Sequence, residues 1–376
     1  MTNWWPTKKL KHMDFLKNIS RNKEEQVASH DDFWQWFKVH EQTFAAAVKN
    51  NDNIENVFFT PLANKLSELR EGFYFLTGMT SDGRVELVFT PDGIIKNVVF
   101  VEELVNSAPD ITGWIFTAMK PGGEIDNIGV RIEDYTFEKD NLFFAPISDA
   151  YYPDEIDIRI IYNHYNADDS SIIETGVYVF LDNYLGELNA ITAIDNLEII
   201  APQAGLELIP IDKLKDFLIW REKEFVEKYE GTRYNTEEDS YAALEASLDN
   251  GMPLLAIINS TLIQWDAKAS HPWMLNVEIG YHGHPASGLP DTATGEMLNG
   301  FEDELMTMLK DYDGYLNLGR ETANNSRAIY FACKDFRIPS KVMDAMVEKY
   351  ASTLELSYDI FKDKYWRSLE RFYPHV

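Results

Sequence analysis

From residue 240 onward the apolar residues switch repeatedly between two periods, and the order of the switches leaves few folds open. "GMPLLAIINSTLIQWD" and "HPWMLNVEIGY" read as two strands joined by "AKAS". "GFEDELMTMLKDYD" is a helix that gathers Phe301, Leu305, Met308, Leu309 and Tyr312 on one face. "GYLNLGRET" and "SRAIYFACKDF" form a hairpin around Ala323-Asn324-Asn325. "IPSKVMDAMVEKY" is a helix, "STLELSYD" a strand and "IFKDKYWRSLERFYP" a closing helix. The order ββαββαβα places helices on one side of an antiparallel sheet, as in ferredoxin-like folds.

A chain of 376 residues is long enough for about two domains. The upstream part starts with a helix in "HDDFWQWFKVHEQTFAAAVKN", capped by Asp31 or Asp32, with Phe33, Trp36, Phe37, Phe44 and Val48 at helical spacing. A short helix follows Pro61, and then come the strands "GFYFLTG" and "RVELVFTPDG", the latter ending in an Asp92-Gly93 turn. "VVFVEELVNSAP" reads as a strand giving way to a short helix, and "TGWIFTAMKPGG" as a strand closed by proline and glycine. "EIDIRIIYNHY" and "TGVYVFLDNYLGE" read as two further strands, before a long helix from Asp212 to Tyr229. The expected organisation is a lead segment (1–30), an α+β domain (31–230), a linker (231–239) and a ferredoxin-like α+β domain (240–376).

The C-terminal stretch resembles the bacterial family called domain of unknown function 695. "GMPLLAIINSTL", "WMLNVEIGYHG", "LNGFEDEL", "GYLNLGRETANNSRAIYFACKD" and "DKYWRSLERFYP" carry the resemblance. The upstream pieces "ELVFTPDG", "VNSAPDITGWIFTAMKP" and "VFLDNYLGELNAITAIDNLEI" look like the uncharacterised half found beside that domain. Members sometimes accompany a domain similar to the regulator of ribonuclease activity B, which binds and inhibits an RNA-degrading enzyme. The resemblance implies a binding or regulatory module and supplies no catalytic residues.

Charge narrows the function. Thirty-four Lys and Arg against 62 Asp and Glu leave −28, a field that repels a phosphate backbone and disfavours nucleic acid as partner. The single cysteine, Cys333, sits in apolar "AIYFACKDF" and reads as a small buried side chain. No run reaches the ~18 apolar residues a membrane span needs, and the N-terminus shows no signal-peptide pattern. A reducing, cytoplasmic setting is therefore expected. Residues 1–23 invert the charge: Lys8, Lys9, Lys11, Lys17, Arg21 and Lys23 stand against Asp14, with Trp4, Trp5, Phe15, Leu16 and Ile19 between them. Such a segment can lie on an anionic membrane, dock on a partner or fold back on the acidic body.

Candidate sites converge on "HPWMLNVEIGYHGHP". Trp273, Leu275, Val277, Ile279 and Tyr281 alternate toward the helices, while Asn276, Glu278, His282 and His284 share the opposite face if the strand continues. His282, His284 and Glu278 could then hold a metal or act as an acid–base set. Gly283 and Pro285 flank His284, however, and favour a strand that ends at Tyr281. Glu278 with Arg320, Glu321 and Arg327 is expected to form a charged group on the open sheet face. It serves there either as a carboxylate- or phosphate-gripping site or as a salt-bridge ladder. Seven tryptophans (34, 36, 114, 220, 265, 273 and 366) fall in expected elements, where core packing competes with a partner surface. No P-loop, dinucleotide or nucleophile-elbow signature occurs, and "HEQTF" has Phe44 where a zinc-protease helix needs histidine.

These readings lead to a non-catalytic α+β binding or regulatory protein with no cofactor. It would engage a protein partner through Asn276, Glu278, Arg320, Glu321 and Arg327. A hydrolase using Glu278, His282 and His284 and a membrane-recruited adaptor are the alternatives. Oligomeric state is not legible.

Overall fold

A computed structural model describes residues 26–373, so the basic lead segment up to residue 25 lies outside the described residues. The elements in chain order are α1 (His30–Asn50), α2 (Thr60–Leu69), β1 (Tyr74–Met79), β2 (Val85–Thr90), α3 (Val98–Asn106), β3 (Trp114–Ala118), β4 (Gly129–Ile132), β5 (Tyr135–Glu138), β6 (Leu142–Ile147), β7 (Asp157–Tyr162), α4 (Ser170–Leu185) and α5 (Glu187–Thr192). There follow β8 (Asn196–Ile200), β9 (Ile209–Pro210), α6 (Leu214–Tyr229), β10 (Tyr241–Ser247), β11 (Pro253–Asn259), α7 (Ser260–Ile263), β12 (Trp273–Gly280), α8 (Thr292–Met308), β13 (Tyr315–Ala323), β14 (Ser326–Cys333), α9 (Arg337–Tyr350) and β15 (Glu355–Lys362). The expected α+β class and two-domain organisation are both found. No helix among the described residues is long and apolar enough to cross a membrane.

The chain forms two compact units. The first runs to Phe143 and adds Tyr162–Ile191. Its α1 is capped by Ser29 rather than Asp31 or Asp32: the Ser29 hydroxyl accepts from Asp32 N, and the Asp32 carboxylate accepts back from Ser29 Oγ and Ala28 N. Phe33, Trp34, Phe37 and Phe44 are buried, while Trp36 stays half-buried with its indole nitrogen unpartnered among the described residues. Strands β1-β2-β3 make a small sheet in which β2 and β3 are parallel, joined through α3.

Two apolar stretches read as strand-bearing are helical throughout. In "VVFVEELVN", burial on nearly every side suits α3 despite its β-branched residues. In α4, Ile173, Val177, Phe180, Leu181 and Tyr184 recur at helical spacing, a period hidden among the β-branched and aromatic residues. There Gly176 lets α4 approach β5, since a Cβ built on it would lie 2.0 Å from a Phe137 ring carbon.

The second unit joins Phe144–Ile161 to the chain from Thr192 onward. It thus takes in most of the β8-β7-β6-β9 sheet and α6, which the sequence had assigned upstream of residue 230. Its larger sheet has the order β10-β11-β13-β14-β12-β15. Strand β12 lies antiparallel to both β14 and β15, and β13 is antiparallel to β14. With α8 crossing from β12 to β13 and α9 from β14 to β15, the last four strands have the ferredoxin-like arrangement expected. The β10–β11 hairpin extends it beyond β13. Asn324 and Asn325 take φ of 48° and 66°, as a two-residue hairpin turn with both central residues left-handed requires.

Under the helices lie Leu275, Val277, Ile279, Ile329, Phe331, Leu298, Phe301, Leu305 and Met343, each fully buried. Each such side chain contributes roughly 1.5–3 kcal/mol by leaving water. The expected closing helix is not found among the described residues. β15 continues through Lys362, and only a short 3-10 turn, Arg367–Phe372, follows.

Candidate functional site

Cross-strand register decides which of the expected site residues meet. Glu278 sits opposite Ala328, which in turn faces Glu321. Asn276 is opposite Tyr330 and Asp359. Asn276, Glu278 and Glu321 therefore share the face away from the helices, and Glu278 is exposed there.

Arg320 and Arg327 do not join them. Arg327 pairs with Ile279 and Arg320 with Ile329, so both lie on the helix side. Neighbours on a strand project to opposite faces, which already separates Arg320 from Glu321. Arg320 Nη1 donates to Glu302 Oε2 of α8 at 2.5 Å, and Asn317 Nδ2 donates to Glu302 Oε1 at 3.2 Å. Arg327 is 6% exposed and donates from Nε to Thr322 Oγ1 and from Nη1 to Asn299 Oδ1. Burial, and then Arg320 beside it, push the Arg327 guanidinium below its ordinary pKa. The expected surface cluster is thus an internal network between α8 and the sheet.

The histidines stand beyond the strand. β12 ends at Gly280, and the His284 ring nitrogen Nδ1 accepts from Ala286 N at 3.2 Å while its main chain pairs with Leu289. Among the described residues no group of three His, Cys, Asp or Glu side chains is placed to hold a metal. Cys333 is fully buried, and burial pushes its thiol pKa up.

The face that carries Glu278 is only partly open. α7 and the C-terminal 3-10 turn bring Leu262, Trp366 and Leu369 onto Met274, Leu316, Leu318, Tyr330 and Ala332, forming a second core on that side. Arg371 takes the place intended for the strand arginines: its Nη2 donates to Glu321 Oε1 at 3.1 Å and to Tyr330 Oη at 2.9 Å. Glu321 Oε2 and Asn276 Oδ1 are buried and unpartnered among the described residues. Glu278, Ser357 and Asp359 remain exposed.

Sequence reading missed an ionic cleft of about 170 Å³ in the second unit. Asp195 receives Lys362 at 2.9 Å and Lys364 at 2.8 Å, and Lys364 also donates to Asp154 O. Burial pushes Lys364 below its ordinary pKa. Glu155, with Arg367 at 3.3 Å, is pushed up to about 7, chiefly by burial. Burial works to raise Asp154, but donation from Lys228, Tyr365 and Tyr229 holds its carboxyl below the ordinary value. The lysines and carboxylates satisfy one another, so the cleft fastens the "KDKYWR" segment to residues 154–157 and 195–196. Only the density of lysine and arginine in 362–367 hinted at it.

Sequence reading also missed β10. Its seven residues pair with β11, and on its other side no strand lies among the described residues. Leu248 N donates to Met252 O and Ser260 N to Ser240 O, so the even-numbered residues aim their peptide groups at β11. By alternation Tyr241, Ala243, Glu245 and Ser247 present N–H and C=O groups outward. Exposed apolar side chains line this border: Tyr241 at 51%, Leu244 at 38%, Leu255 at 40% and Ile257 at 39%. Of the usual devices that blunt an edge, the strand carries one charge, Glu245, and no lysine, proline or bulge.

Comparison with known proteins gives one match. No curated protein and no solved structure matches the chain. Residues 246–373, from within β10 to the end of the 3-10 turn, match the family described as "Family of unknown function (DUF695)".

Proposed function

We propose that this chain is a binding protein whose C-terminal ferredoxin-like sheet engages a protein partner by strand addition at β10. The observation that carries the reading is the bare, apolar-flanked edge just described. Four outward peptide units offer main-chain hydrogen bonds, and Tyr241, Leu255 and Ile257 give an incoming strand side chains to pack on. The edge takes the place of the open face first expected, because α7 and the C-terminal turn cover part of that face. Neither the internal Arg320–Glu302 pair nor the self-neutralised cleft offers a comparable unpaired surface.

Amide hydrogen exchange tests this on the full-length protein isolated with its native partner. The amides of Ala243, Glu245 and Ser247 are expected to be protected in the complex and fast after dissociation. Those of Ala242, Leu244 and Ala246 are protected in both states by β11. Equal, fast exchange of the outward amides in the complex would refute the reading.

A further inference from the structure

Strand β10 is also complementary to itself. We infer that its partner is a second copy of this chain, joined through β10 in an antiparallel two-fold pairing that makes one continuous sheet; this rests on the strand-addition reading. The strand Tyr241–Ser247 is centred on Leu244. A two-fold axis there overlaps the whole strand and sets Leu244 against the partner's Leu244. It also sets Ala243 against the partner's Glu245, and Tyr241 against the partner's Ser247.

Three features of the strand agree with this register. It matches outward-facing residues to outward-facing residues, so every free peptide group between Tyr241 and Ser247 finds an acceptor or donor. That yields on the order of eight main-chain hydrogen bonds, two for each hydrogen-bonded pair. It also places the strand's only charge, Glu245, opposite an alanine in both copies, whereas centring on Glu245 would oppose like charges directly. Finally, it brings the exposed Leu244 side chains together on one face, while Tyr241, Leu255 and Ile257 extend the apolar strip on the other. An isologous contact of this kind closes on itself and stops at two copies.

The net charge of −28 sets how the pairing responds to salt. Two strongly acidic chains repel over the Debye length, about 10 Å at 0.1 M and ~30 Å at 0.01 M. The dimer is therefore expected to tighten several-fold as salt rises between those values, opposite to an interface built on ion pairs.

The test uses the full chain carrying Leu244→Cys. Leu244 would face its mate in a non-hydrogen-bonded pair at a Cα separation of about 4.5 Å, inside the ~4.4–6.8 Å a disulfide spans. The one native cysteine, Cys333, is buried, so position 244 supplies the reactive thiol. Mild oxidation is expected to give a covalent dimer. Sedimentation equilibrium of the unmodified chain is expected to give twice 43.4 kDa, and Leu244→Lys to weaken association at least tenfold. Because Leu244 is partly exposed, the lysine variant keeps its fold, which circular dichroism checks. A monomer at every concentration to about 100 μM, together with no cross-link from the cysteine variant, overturns the second-copy inference. Protection of the outward amides in the native complex then decides separately whether strand addition itself stands.

Discussion

Replacing His271 by glutamine should flatten the acid side of the protein's stability profile. His271 is fully buried, with Nδ1 2.8 Å from Ser270 Oγ and Nε2 unpartnered among the described residues. Burial, and then the cations Lys334 and Arg233, push its pKa down to about 3, from about 6.5 in the unfolded chain. The unfolded chain therefore takes up this proton first as pH falls. The histidine's contribution is intact above pH 6.5 and is lost progressively from there down to about 3. Between pH 7.5 and pH 5 the loss is about 2 kcal/mol, the protonation free energy that the unfolded state gains alone.

Glu155 acts in the opposite sense over the same range. Its folded pKa is raised to about 7, so its contribution is full below about 4.5 and lost as pH rises through 7. The informative quantity is therefore the difference between wild type and His271→Gln, not the wild-type profile. Urea unfolding at the two pH values, followed by tryptophan fluorescence, reads it; the Trp265 ring lies 5.4 Å from His271. Wild type should lose about 2 kcal/mol more than the variant, a midpoint shift of ~0.5–1 M urea. Equal losses would show that His271 protonates as easily folded as unfolded, and the burial argument would fail.

Two further outcomes follow from packing. Glu302→Ala leaves Arg320 and Arg327 together beneath α8 without their carboxylate, and should destabilise by about 3 kcal/mol, the lower end for a broken buried pair because Arg320 is a quarter exposed; a loss below 1 kcal/mol in chemical denaturation would mean water already screens the network. Gly176→Val drives side-chain carbon into the Phe137 ring between α4 and β5, and should cost about 1–3 kcal/mol and lower the melting temperature; an unchanged melting temperature would show that the helix can lift without penalty.

The last four strands were legible because β12 alternates in burial from Leu275 to Gly280 and the connections carry Asn-Asn or helical crossovers. Trp273, Leu275, Val277 and Ile279 lie where period two put them. β10 was illegible because "YAALEAS" consists largely of helix formers; the hairpin closed at Asn250-Gly251 and the pairing to β11 override that preference. α4 failed the other way, its helical spacing masked by valine, isoleucine and tyrosine. Of the expected site, Asn276, Glu278 and Glu321 fall on one face as read, while strand parity moved both arginines under α8. Glu155 and Asp195 gave no signal, and Lys364 only that of the basic run around it, since charges far apart in sequence acquire meaning only when the fold brings them together.

The ionic cleft also fixes an order of events during synthesis. Asp195 and Lys364 are 169 residues apart. At translation rates of ~5–20 residues per second, the carboxylates of Asp154, Glu155 and Asp195 wait on the order of 10–30 s for their lysine and arginine partners. Until then they stay hydrated, because burying them unpaired would be costly. The segments carrying them, just ahead of β7 and β8, cannot close over the site before residues 362–367 leave the ribosome. The second unit therefore completes its folding only after residues 362–367 have been made, and a ribosome stalled before residue 362 would hold it open to chaperones and proteases.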